Sequence, residues 1–225
     1  MVDTSHGDLR TAGTTQRPDH PGRLERWLLR WGPLSGTVAT VLLIVGFSTG
    51  GSTPNDNASA GQVFRFYSTH STGQKVSDLA GALALAFFVV FAASLTSRVR
   101  TGGSGGWLAN GMVGGAVLAA AGFISVLAFS LVLASDIKFL TAASAQTINV
   151  LQNDFFLLIV IGFFVFGVVG GLTAAVSRAP ARWMGWVLFA FGVCAAVPPM
   201  TFFAVLATFL WVLVASIWLV VQGAP

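Results

Sequence analysis

The stretch WMGWVLFAFGVCAAVPPMTFFAVLATFLWVLVASIWLVV, Trp183–Val221, decides the fold: 39 residues without one Asp, Glu, Lys, Arg or His. A transmembrane helix needs about 20 apolar residues to cross a hydrocarbon core of roughly 30 Å. At 1.5 Å per residue a single straight helix of this length would overshoot the membrane by some 20–30 Å. Pro198 and Pro199 lie inside the run, where two missing backbone donors and a restricted preceding residue disfavour continuous helix. The reading is therefore two antiparallel spans, Trp183–Val197 and Thr201–Val221, joined by a tight reversal. One long kinked helix is the alternative.

Working outward, four further apolar runs have spanning length: Leu34–Gly50, Leu79–Ser97, Leu108–Ala134 and Phe155–Val176. Hydrophobic residues make up 55% of the chain and charged residues 9%, with mean hydropathy +0.79. A soluble domain carries about 25% charged residues, so this chain cannot cover a water-facing surface and most of its exterior must face lipid. The expected fold is all-α: a six-transmembrane-helix bundle, with an interfacial amphipathic helix on the cytoplasmic side and a short amphipathic helix on the outer face. Cys194 is the only cysteine, which excludes an intrachain disulfide and a cysteine-based metal site. Two lysines against ten arginines suggest a GC-rich bacterial genome.

Orientation follows from the cytoplasmic preference of Arg and Lys. With the N-terminus inside, the inner segments hold Arg10, Arg17, Arg23, Arg26, Arg30, Arg98, Arg100, Arg178 and Arg182, and the outer ones only Arg65, Lys75 and Lys138. Trp27, Trp31, Trp107, Trp183 and Trp186 all fall at the inner boundary. Both termini are thus expected in the cytoplasm of a bacterial plasma-membrane protein. Residues 1–20 are polar and aperiodic and read as a disordered tail. Residues 34–222 form the bundle, and residues 223–225 a cytoplasmic C-terminus. TVATVLLIVGF followed by STGGS also resembles a signal-peptide core, but the polar leader before it is long for that.

Within residues 21–33, Leu24, Trp27, Leu28 and Trp31 recur at helical spacing, stacking on one face. Arg23, Arg26 and Arg30 lie off that stripe. This pattern predicts an interfacial helix whose Arg23, Arg26, Arg30, Trp27 and Trp31 meet anionic lipid headgroups. It reads as an orientation anchor, or as a surface recognising lipid or a partner. Two long outer connections, 51–78 and 135–154, form an expected cap. In the first, Ala60, Val63, Phe64 and Tyr67 mark a short amphipathic helix from about Ala58 to His70, capped by Asn57 or Ser59, with Gly73 and Ser77 leading into the second span. The second connection is partly apolar through Ile137, Leu140, Ile148 and Leu151.

The cap's polar candidates are Asp56, Tyr67, His70, Asp78, Asp136 and Asp154. A histidine with several carboxylates can hold a divalent metal or relay a proton, yet the spacing matches no HxxxH, HExxH or CxxC ligand motif. No catalytic residue, metal site or cofactor is assigned, and nothing points to nucleic acid. Asp78 and Asp154 each precede an apolar run, where a carboxylate caps a helix N-terminus. No charged residue lies near the middle of any span, and such charges are the usual mark of ion pathways. Gly111, Gly115 and Ala119 form a small-residue ridge on the third span, and Gly167, Gly171 and Ala175 another on the fourth. Such ridges let helices approach closely, here as a contact between these two neighbours or as a dimer or partner interface. An offset of 76 pairs Trp31 with Trp107, Gly46–Phe47 with Gly122–Phe123, Asp78 with Asp154, and Phe87–Phe88–Val89 with Phe163–Phe164–Val165, which suggests a diverged parallel repeat.

FYSTH after the first span, RWMGW opening the fifth and LWVLVASIWL in the last resemble a broad group of small, functionally unassigned six-span proteins of GC-rich bacteria. The resemblance implies a helical bundle with an outer amphipathic segment and carries over no catalytic residue. The expected role is non-enzymatic: an accessory or interaction subunit of a membrane complex, with a membrane-protein partner or a second copy of itself. The alternatives are a transporter or channel for a small neutral or lipophilic molecule, and an enzyme acting at the outer boundary through Asp78, Asp154 and His70.

Overall fold

The computed structural model describes residues 31–101, 106–176 and 182–222. The expected tail, the C-terminal residues 223–225 and most of the interfacial helix, including Arg23, Arg26, Trp27 and Arg30, lie outside the described residues. Among the described residues the chain is helical and without strands. The elements are α1 (Leu34–Gly50), α2 (Ala60–Thr101), α3 (Gly106–Asp136), α4 (Ala142–Asp154), α5 (Phe156–Val176), α6 (Arg182–Ala195) and α7 (Thr201–Val221), with single 3-10 turns at Ile137–Phe139 and Pro198–Met200.

Four helical segments are long and apolar enough to cross a membrane: Ala60–Arg100, Gly106–Phe139, Ala142–Val176 and Pro198–Val221. The apolar helices α1 and α6 are shorter, 17 and 14 residues. They reach about 26 and 21 Å at 1.5 Å per residue, less than the roughly 30 Å hydrocarbon core. The Pro198–Pro199 reversal is present as the 3-10 turn between α6 and α7, which pack side by side.

In order α1, α2, α3, α5, α6 and α7, each helix packs on the next, and α7 returns to α1. These six form a closed ring, with α4 outside it against α2 and α3. Phenylalanines fill the ring's interior. Phe88 of α2 meets Phe163 and Phe166 of α5 and Phe209 of α7 at centroid separations of 5.8, 5.1 and 5.5 Å. Polar side chains close the seam. Thr40 Oγ1 donates to the Phe209 carbonyl at 3.2 Å, the Thr37 and Ser216 hydroxyls lie 2.8 Å apart, and Trp211 Nε1 donates to the Met184 carbonyl at 3.0 Å. In lipid, where burying apolar surface drives no association, such bonds and close packing hold helices together.

The closest packing is glycine-dependent. A Cβ on Gly122 would lie 2.8 Å from the Ile159 backbone nitrogen, and one on Gly162 would overlap the Ala119 backbone. The two expected ridges are both buried within the chain, but they do not meet each other. Gly111, Gly115 and Ala119 face α5 at Val169, Val165–Phe166 and Gly162, whereas Gly167, Gly171 and Ala175 face α6 at Gly192, Phe189 and Gly185. Helix α5 therefore turns its small-residue ridge to α6, and on the opposite side meets the small-residue ridge of α3.

Three expectations are corrected. The segment Ala58–His70 is not a separate helix, because α2 runs unbroken for 42 residues from Ala60 to Thr101. Its start is capped by Ser59, with the Ser59 N–H donating to Gln62 Oε1 at 2.8 Å and the Gln62 N–H reaching Ser59 Oγ at 3.4 Å, a reciprocal capping box. Gly73 does not end it, since its missing Cβ admits the Thr49 carbonyl of α1 and packing outweighs helix propensity. The second connection likewise folds into α4, with Thr141 Oγ1 accepting from the Ser144 N–H at 3.1 Å.

The repeat holds only in part. Phe87 is exposed where Phe163 is buried, Phe88 is buried where Phe164 is exposed, and Asp78 is buried where Asp154 is exposed. Gly46 and Gly122 are both buried and Trp31 and Trp107 both exposed, so the offset keeps its environment at some pairs and not at others.

The continuity of α2 is directly measurable. Spin labels at Arg65 and Val90, both exposed, should lie about 37 Å apart with a narrow distribution, 25 residues at 1.5 Å each. A broad distribution centred well below that distance would show a break near Gly73.

Candidate functional site

At the end where α1 and α3 finish, the N-terminal part of α2, the end of α3, the Ile137–Phe139 turn and α4 enclose a second small core. Val63, Tyr67, Leu133, Ala134, Ile137 and Ala145 are buried in it, with Phe64, Phe66, Leu140 and Ile148 packed around them. This is the cap. Polar side chains on the inner face of α4 tie it down: Gln146 Nε2 donates to the Ala58 carbonyl at 3.2 Å and Asn149 Nδ2 to the Asn55 carbonyl at 3.1 Å. The extended segment before α2 would otherwise present unpaired carbonyls, which are costly away from water.

Between the cap core and the phenylalanine core lies a layer of buried polar groups. Gln74 Nε2 donates to Asp78 Oδ1 at 3.0 Å and to Ser130 Oγ at 2.9 Å. The Tyr67 hydroxyl donates to Gln152 Oε1 at 3.2 Å. Ser130 lies beside both the Tyr67 hydroxyl and the Asp78 carboxyl, so one serine of α3 joins the two halves of the layer. Gln74 and Asp78 are 5% and 3% exposed. The amide oxygen of Gln74, Oε1, and the second carboxyl oxygen of Asp78, Oδ2, have no hydrogen-bond partner among the described residues. A buried polar atom without a partner costs about 1–3 kcal/mol, more when charged.

Of the six polar candidates, this layer takes Tyr67 and Asp78 and leaves the others apart. Asp56, Asp136 and Asp154 are exposed. His70 is exposed too, stacked on Phe66 at 4.9 Å with its Nδ1 2.8 Å from Thr69 Oγ1. Among the described residues, no three of His, Cys, Asp and Glu come together as a metal site would require. Neither aspartate precedes a helix as a cap. Asp78 sits inside α2, where each backbone N–H is already bonded one turn back, and Asp154 is the last residue of α4.

Gln74, Asn149 and Gln152 are not marked out by the sequence. The signal for Gln74 was present: Val63, Tyr67, Gln74 and Asp78 fall at i, i+4, i+11 and i+15, all on one helical face. It becomes visible only once α2 is read as unbroken.

Replacing Tyr67 by Phe removes the bond to Gln152 and leaves its buried amide oxygen unpaired, at a cost of about 1–3 kcal/mol. Because the loss is local to the cap, hydrogen exchange should quicken in α4 while the amides of α5 and α7 keep their protection. Equal acceleration in all three helices would mean the cap does not unfold separately from the ring.

Comparison with protein-family models, with curated proteins and with solved structures finds no match for this chain.

Proposed function

We propose that this protein is a non-enzymatic, six-span protein of a bacterial plasma membrane that acts as an accessory or interaction subunit. Both termini are cytoplasmic and the cap lies on the outer side. In this reading α1 and α6 span as short helices within the ring, and Arg23, Arg26 and Arg30 with Trp27 and Trp31 contact anionic headgroups. Exposed Trp31, Trp107, Trp183 and Trp186 all lie at or near the beginnings of α1, α3 and α6, as an interfacial belt at the inner boundary requires.

The observation that carries the functional reading is the cap itself, with its own core and an exposed surface of Arg65, Thr69, His70, Thr72 and Lys75 on α2 and Ser144 and Thr147 on α4. A second core adds nothing to crossing a bilayer, but it holds a polar surface rigid, as recognition needs. The ring axis is plugged by Phe88, Phe163, Phe166 and Phe209, which speaks against a continuous hydrated path. Since both small-residue ridges are occupied within the chain, the partner surface is assigned to the cap.

Mild extraction from the native membrane followed by native mass spectrometry tests this. A stoichiometric protein partner, lost when exposed cap residues such as Arg65 and Lys75 are reversed in charge, is the expected result. A lone particle carrying a reproducible small ligand would overturn it in favour of a carrier for a small neutral or lipophilic molecule. The buried polar layer under the cap is the observation that favours that second reading. The enzyme reading lacks support of this kind, since Asp78 is buried while Asp154 and His70 are on the surface.

A further inference from the structure

The joint between cap and ring holds one buried carboxyl, and no Lys or Arg pairs with it among the described residues. Asp78 is bonded through Oδ1 alone, and Gln74 through its amide nitrogen alone, which leaves two acceptor oxygens one helical turn apart with no donor. The polar side chains of the same layer are hydroxyls and an amide: Ser130, Tyr67 and Gln152.

The neighbouring helix end has the same electrical sign. Helix α1 stops at Gly50, and Gly51 turns the chain away with φ +73°. The last four carbonyls of a helix lack intrahelical partners and carry the negative end of its dipole. One of them in α1, the Thr49 carbonyl, comes directly onto α2 at Gly73. A Cβ on Gly50 would lie 3.3 Å from Gln74 Oε1, and one on Gly73 would lie 2.6 Å from the Thr49 carbonyl oxygen. At Gly50 the Ser77 side chain is nearer still, at 2.6 Å, so the end of α1 meets Ser77 and Gln74 of α2 directly. The two orphan acceptors thus share one buried layer, with the end of α1 beside it at Gly50, and each of these groups is stabilised by positive charge.

We propose that this joint is a binding site for one small monovalent cation of sodium size, held by Asp78 Oδ2 and Gln74 Oε1 with the Tyr67 and Ser130 hydroxyl oxygens beside them. Oxygen ligands without sulfur or imidazole select hard cations. One carboxylate balances a single positive charge, whereas a divalent ion would leave an unpaired buried charge, which a dry interior penalises heavily. The bound ion satisfies both orphan acceptors, and its ligands come from α2 and α3, so it fastens these two helices together at the level where the cap joins the ring. This inference stands whether the cap meets a partner or covers a carrier site.

The test is thermal unfolding of the purified full chain in detergent, titrated with sodium chloride against choline chloride at equal ionic strength and constant pH. The expected result is a saturable rise in midpoint with sodium, absent with choline and lost in Asp78→Asn. Sodium NMR of the wild-type protein gives a second readout that needs no variant: the sodium line broadens on adding protein, and lithium reverses the broadening. Equal stabilisation by both salts, or a sodium line left unbroadened, overturns the proposal. A midpoint that follows pH but not sodium overturns it too, and assigns the carboxyl a proton instead.

Discussion

Gly162→Ala will destabilise the folded protein by more than alanine at any other described glycine. A Cβ there would overlap the Ala119 backbone and lie 2.7 Å from the Ala119 Cβ. The obstacle is main chain and a methyl on a facing helix, so no rotamer change relieves it and α3 and α5 must separate. Overpacking a tight interior costs about 1–3 kcal/mol and occasionally more, a large part of a total stability of about 5–15 kcal/mol. Gly114→Ala is the matched control. Its position is exposed, with nothing within 4 Å of the added carbon, and removing a helical glycine is favourable by about 0.5–1 kcal/mol. Thermal unfolding of the two variants in detergent should therefore shift in opposite directions. A Gly162→Ala midpoint at or above wild type would mean that α3 and α5 are not in contact at this level.

Phe88→Ala will have the other large effect. Phe88 is fully buried on the ring axis and touches three further phenylalanines on two helices. Truncating a buried Phe typically costs about 3–5 kcal/mol, through lost contacts and the cavity left behind. The adjacent Phe87 faces outward, so Phe87→Ala should change stability little. A dry apolar cavity also takes up small apolar guests. Benzene or xenon should therefore raise the unfolding midpoint of Phe88→Ala and leave that of wild type unchanged. Equal midpoints for the two alanine variants would place Phe88 outside the core.

Membrane residence and the ends of several helices were legible in the sequence because hydropathy is a local sum along the chain. The apolar runs Leu34–Gly50 and Thr201–Val221 coincide with α1 and α7, and the double proline marks the turn before α7. At α2 the same local reasoning failed. Gly73, Lys75 and Asp78 interrupt the hydropathy and argue for a loop, yet the helix passes through all three. Their environment comes from elsewhere: Gly73 from the α1 carbonyl it admits, and Asp78 from Gln74 and the serine of α3.

The candidate site depends on contacts of that kind throughout. Gln74 and Ser130 are 56 positions apart, Tyr67 and Gln152 are 85, and the Thr37–Ser216 pair that helps close the ring is 179. Composition and periodicity establish that this chain lives among lipids as a set of apolar helices, because each helix satisfies its own backbone within one short segment. Which faces of those helices meet, which glycines are indispensable and which carboxyl is drawn inside are settled only in three dimensions. In lipid, those choices rest on close packing and a few hydrogen bonds between distant residues, and a period in the sequence marks a packing face without saying which neighbour it meets.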